Sequence, residues 1–114
     1  MIAPHGGKLV DRILVGEALD DAVARAASLP KLVVPDDIAG DARNLARGVF
    51  SPLEGFVTKG DFDSIIQRER LADGTIYTIP IFLTVDDPGA VAEGSEVVLA
   101  AASDPNRPVA LMQV

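Results

Sequence analysis

The chain has no cysteine and no tryptophan, a single tyrosine (Tyr77) and a single histidine (His5) among its 114 residues. Without sulfur nucleophiles there is no disulfide and no thiolate chemistry, a composition suited to a reducing cytoplasm. One imidazole cannot build a metal centre, which takes three or four ligands, unless carboxylates supply the rest. Long apolar runs are missing too, and nothing approaches the roughly 20 residues of a membrane-crossing helix. The first residues lack the basic-then-apolar pattern of a secretory signal. Basic residues are scarce: 10 against 17 acidic, a formal charge of −7. Beyond Leu71 only Arg107 opposes six carboxylates. Such a surface repels phosphate backbones, so nucleic acid is not an expected partner, nor is a membrane.

What is present is aliphatic. Hydrophobic residues make up 48% and charged ones 24%, the balance of one globular domain spanning residues 1–114. The chain is arranged around Gly48–Phe56, GVFSPLEGF. Gly48 stands where a helix must end, since glycine enters the left-handed conformation without a Cβ penalty. Ser51, Pro52 and Glu54 have the spacing of a new helical turn, with Ser51 as N-cap, Pro52 at the first position and Glu54 completing a capping box. Phe50 and Phe56, two of only four phenylalanines, bracket the turn.

Taken in order, Pro4-His5-Gly6-Gly7-Lys8 is turn-rich, and Leu9–Leu14 fits a short strand. Glu17–Ala27 reads as a helix with Leu19, Ala22, Val23 and Ala26 on one face. Lys31–Val34 reads as a strand cut by Pro35. Asp36 then caps a helix to about Arg47, carrying Ile38, Ala42, Leu45 and Ala46 on its inner stripe. Asp61 is the expected cap of a third helix with Phe62, Ile65 and Ile66. Asp73-Gly74 suits a type I′ hairpin turn. From Thr75 the apolar period changes to two, placing Tyr77, Ile79, Ile81, Leu83 and Val85 on one face of a long strand that Pro80 bends. Turns follow at Asp86–Gly89, Gly94-Ser95 and Asp104–Arg107, separating strands at Glu96–Ala100 and Pro108–Val114. Helices early and antiparallel strands late predict an α+β fold that curls into a small barrel.

Catalytic constellations are hard to assemble. His5 beside two glycines fits a turn residue better than an acid/base group. Asp36-Asp37 and Asp86-Asp87 are adjacent pairs of the kind used as caps and turns, so no metal site is expected. Gly6-Gly7-Lys8 lacks the earlier glycine and the following Ser or Thr of a phosphate loop. A serine triad has only His5 to draw on. The expectation is therefore no catalytic, cofactor-binding or metal-binding residue.

Three stretches in series carry a resemblance: PHGGKLVDR at Pro4–Arg12, GVFSPLEGF at Gly48–Phe56 and RLADGTIYTIPIFLTV at Arg70–Val85. Their order and spacing resemble the amino-terminal domain of ATP sulfurylase, or sulfate adenylyltransferase, over essentially the whole chain. Val57 and Tyr77 depart from that family's usual Met and Trp, within class. The resemblance implies a PUA-like pseudo-barrel with flanking helices. It also implies an origin in an enzyme that converts ATP and sulfate into adenylyl sulfate and pyrophosphate. That family's QxRNP, HxxH and GRDHAG-type catalytic segments have no counterpart here, so no catalytic residue carries over. The expected role is a non-catalytic domain that scaffolds or docks against a catalytic domain or subunit. The surface singled out for docking is Pro4, His5, Gly6 and Gly7 with Phe50, Ser51, Pro52, Leu53, Gly55 and Phe56. A free-standing module binding a small ligand or protein is the alternative, and self-association is left open.

Overall fold

The computed structural model describes residues 2–87, 89 and 91–114. It is α+β, with α1 (Gly16–Ala26), β1 (Lys31–Val34), α2 (Asp36–Ala46), α3 (Lys59–Arg68), β2 (Glu96–Ala101) and β3 (Asp104–Gln113). The sheet has the order β1-β2-β3 and is mixed rather than antiparallel throughout. β1 runs parallel to β2, with Val34 opposite Ala101, and β3 runs antiparallel to β2, with Val97 opposite Met112. A period-two pattern reveals a strand but not the direction of its neighbour, so β1 and β2 were both legible while their parallel pairing was not.

The central strand β2 is buried from Val97 to Ala101, as expected of a strand covered on both faces. One cluster joins Val97, Leu99 and Ala101 to Val34 of β1 and to Ala39 and Ala42 of α2. A second gathers Leu45, Leu53, Ile65, Leu71 and Ile81. Phe56 packs against both clusters and joins them.

Several expected elements take other forms. Leu9–Leu14 is not a strand, because its backbone is used elsewhere: Arg12 N–H donates to Ala46 O at 2.8 Å and Val10 N–H to a side chain. Asp36 is the first residue of α2 rather than its cap, which is Pro35. The Asp36 carboxylate accepts from Ser103 N–H at 3.0 Å, tying the helix start to the β2–β3 turn. Thr58, not Asp61, caps α3 by accepting Asp61 N–H at 3.2 Å, and Asp61 accepts Ala72 N–H at 2.8 Å. At Asp73-Gly74 only Gly74 has positive φ (95°), which rules out type I′. The turn closes through Gly74 N–H to Leu71 O at 2.9 Å.

Thr75–Val85 does not form a continuous ladder. Its pairings are an isolated bridge between Arg70 and Ile76 and single bonds such as Val57 N–H to Ile81 O at 2.9 Å. Of the expected inner face Ile81 is buried, whereas Ile79 is 64% exposed. Pro80 breaks the alternation between them by withholding a donor. Asp104–Arg107 is not a turn but the bulged start of β3: Asp104 pairs with Ala101 and Pro108 with Ala100. A bulge on an edge strand is where Pro105 and Pro108 can be accommodated. The turn expected at 86–89 includes residue 88, outside the described residues. Gly94 does turn, with φ 85°.

Candidate docking surface

The C-terminus of α2 sets the site. Gly48 N–H donates to Leu45 O at 3.2 Å and Val49 N–H to Asn44 O at 3.0 Å, the two bonds of a Schellman motif, with Gly48 at φ 83°. The helix stop is as the sequence implied; the helix start after it is absent. Residues 49–56 form turns, and the Ser51–Pro52 peptide is cis. The Ser51 hydroxyl accepts Val10 N–H at 3.0 Å and donates to Gly48 O at 2.7 Å. It joins the distant segment around Val10 to the loop instead of capping a helix. Ser51 and Leu53 are both buried, so within the singled-out set they hold the turn from inside.

The three motif stretches converge on this turn. Gly6, at φ 72°, lies against Pro52; a Cβ there would sit 2.7 Å from the proline Cγ. His5 Nε2 lies 2.5 Å from Ile76 O, and its ring stands 6.0 Å from that of Tyr77. Tyr77 donates its hydroxyl to Phe50 O at 2.7 Å, and partial burial pushes the phenol pKa up. Pro4, Phe50, Pro52 and Phe56 are half-buried, while His5, Gly6, Gly7 and Gly55 are exposed.

One feature of the site was not foreseen. Lys8 donates to Glu54 Oε1, and Arg12 Nη2 lies 3.5 Å from Glu54 Oε2. Glu54 therefore bridges the PHGGKLVDR stretch to the central turn rather than completing a capping box. The only signal was the occurrence of Lys8 and Glu54 within two stretches already linked by family resemblance. The hydrogen bond from Lys8, then its charge and that of Arg12, hold the Glu54 carboxyl below its ordinary 4.5. A depressed carboxylate stabilises the fold above its unfolded pKa and loses that contribution as pH falls through the folded one. The melting-temperature difference between the chain and Glu54→Gln is thus expected near pH 7 and should vanish well below pH 4.5. Because the group is exposed, the difference should also shrink at high salt. Scanning calorimetry at two pH values checks this; equal differences at both would remove the ion pair as their cause.

Among the described residues no three His, Asp or Glu side chains converge on a common point. Within the two Asp pairs, Asp37 accepts Ile38 N–H at 2.9 Å and Asp87 accepts Gly89 N–H at 2.9 Å, while Asp36 accepts the distant Ser103 N–H. No helix among the described residues is long and apolar enough to cross a membrane.

Against known proteins, a family profile described as PUA-like domain matches residues 2–114. This chain belongs to the PUA-like domain family. Within it, the chain resembles the PUA-like part of sulfate adenylyltransferases. It is 40% identical over 116 residues to the sulfate adenylyltransferase of Persephonella marina, covering 100% of this chain and 30% of that one. For the sulfate adenylyltransferase of Halothermothrix orenii the identity is 41% over 101 residues, covering 87% and 26%. The PUA-like domain therefore spans less than a third of the length of either relative. A solved structure described as a hexameric APS kinase from Thiobacillus denitrificans superposes with a TM-score of 0.78 at 30% identity, covering 90% of this chain and 21% of that one.

Proposed function

We propose that residues 1–114 form a single PUA-like domain of the kind found at the amino terminus of sulfate adenylyltransferase, serving as a non-catalytic scaffold that docks to the catalytic polypeptide. The observation that supports this most is the pairing of full-length similarity on one side with a 30% share of the relative on the other. A segment that small, with no three His, Asp or Glu side chains placed together to hold a metal among its described residues, is read as acting through a partner. His5, Gly6, Gly7 and Gly55 supply exposed backbone for such a contact, beside the half-buried Phe56 and with Ser51 and Leu53 buried. The reaction served is ATP plus sulfate to adenylyl sulfate plus pyrophosphate, in the cytoplasm.

The test is reconstitution. The chain is co-expressed with the Persephonella marina sulfate adenylyltransferase from which the matched segment has been deleted. Co-purification and sulfate-dependent ATP–pyrophosphate exchange by the pair, with none from the chain alone, is the expected result. Turnover by the isolated chain, or failure of the two to associate, would overturn the reading.

A further inference from the structure

Of the 10 basic residues on this acidic chain, four stand around the C-terminal end of α2. Arg43 lies in the last turn and Arg47 is the C-cap. Four residues apart, they share one side of the helix, opposite the buried Leu45. Both are exposed, and among the described residues neither has an ion-pair partner. Arg12 is brought to the same end by its backbone, whose N–H donates to Ala46 O at 2.8 Å. Lys8 is held near it by their common partner Glu54. Against these four cations stand two carboxylates, Glu54 and Asp11, while Asp41 shares the Leu45 side of the helix, away from the arginines. The helix end is therefore positive on a chain whose net charge is −7. Two aliphatic side chains are exposed beside it: Leu9, which lies against Gly48, is 66% exposed and Val49 is 63% exposed.

We infer that this patch is the docking site for an acidic segment carrying aliphatic side chains, contributed by the catalytic polypeptide of a sulfate adenylyltransferase; the inference rests on the function proposed above. The charge selects the partner. Guanidiniums without a partner match carboxylates in shape as well as sign, through paired N–H···O bonds. Leu9 and Val49 select a protein segment over a small anion, which would leave them in water. A nucleic acid is disfavoured, because a long polyanion would run from this patch onto the acidic remainder of the surface. The patch also continues the surface already assigned to docking. Lys8 and Leu9 directly follow His5-Gly6-Gly7, and Val49 directly precedes Phe50, so one partner can cover both.

The experiment uses the co-expressed pair described above. Arg43→Glu/Arg47→Glu should weaken association about ten-fold or more and flatten its dependence on salt, as loss of a matched interface charge does. The control is Arg68→Glu/Arg70→Glu at the C-terminal end of α3, which makes the same change in net charge and likewise removes a cation from the negative end of a helix. It should leave association nearly unchanged. Arg47→Lys keeps the charge and decides the matter even where the double reversal fails to fold. Treated with a zero-length carbodiimide, the introduced amine should couple to a glutamate or aspartate of the catalytic polypeptide. An association weakened no more by the reversal than by the control, or one that forms without that cross-link, overturns the patch and leaves the scaffold role standing. A cross-link to a second copy of the chain likewise overturns the assignment. A pair that never associates overturns both.

Discussion

Gly48→Ala is expected to lower the unfolding free energy by about 2–4 kcal/mol, a large part of the roughly 5–15 kcal/mol that holds a small domain folded. Two costs combine. The left-handed backbone at φ 83° disfavours any L side chain by about 1–2 kcal/mol. The added Cβ would also lie 2.3 Å from Val10 O, 3.0 Å from Leu9 Cδ1 and 3.2 Å from Ser51 Oγ. The nearest of these is backbone, and Val10 is itself held by Ser51, so the contact cannot be relieved by swinging a flexible side chain. Gly74→Ala is the internal control. Its φ is 95° but a Cβ there meets nothing within 4 Å, so it should lose only about 1–2 kcal/mol. Urea unfolding of the two variants separates backbone strain from collision. Equal losses would mean that the close approach of Val10 contributes nothing.

Leu99→Ala should cost about 2–5 kcal/mol by the same measurement, the range for removing a large aliphatic side chain from a packed core. Leu99 is 1% exposed on the central strand, flanked by Leu32 of β1 and Ala110 of β3. Its neighbours are fixed by two sheet ladders and by α2, which limits collapse into the vacated space. Val33→Ala, at a β1 position 48% exposed, should cost less than about 1 kcal/mol. A Leu99 effect as small as that of Val33 would mean the sheet centre is loosely packed.

The contrast between these positions and the central turn shows what local sequence can and cannot specify. Gly48 was readable because a Schellman motif needs only its own helix: the donors are Gly48 and Val49 and the acceptors Leu45 and Asn44. Lys31–Val34 and Glu96–Ala100 were readable for a similar reason, as short β-rich runs bounded by breakers. Ser51-Pro52-Leu53-Glu54 has the lettering of a capping box, yet its two polar side chains are claimed by partners 41 and 46 residues away, Val10 and Lys8. A long-range claim on a cap residue leaves no trace in local spacing. Asp61 reads as a cap because an acid suits a helix start; the Thr58 hydroxyl, three residues earlier, takes the Asp61 N–H instead. At α1 the four apolar positions were seen, but not that only the two alanines would be covered.

Of the residues singled out for docking, His5, Gly6, Gly7 and Gly55 are exposed, Phe56 is half-buried, and Ser51 and Leu53 are buried. The three motif stretches that resemblance placed in one family meet at the central turn. Their convergence depends on Tyr77 reaching Phe50 O and on Gly6 meeting the Pro52 ring, contacts that no periodicity encodes.

The parallel pairing of β1 with β2 also fixes when the molecule can finish. Asp36, just past β1, and Ser103, just past β2, are 67 residues apart and joined by a hydrogen bond. At translation speeds of about 5–20 residues per second, the first strand emerges roughly 3–13 seconds before its neighbour has been synthesised. Throughout that wait the helical segments have no central strand to rest on. Assembly of the sheet therefore waits for β2, and slow loop closure rather than helix formation sets its pace.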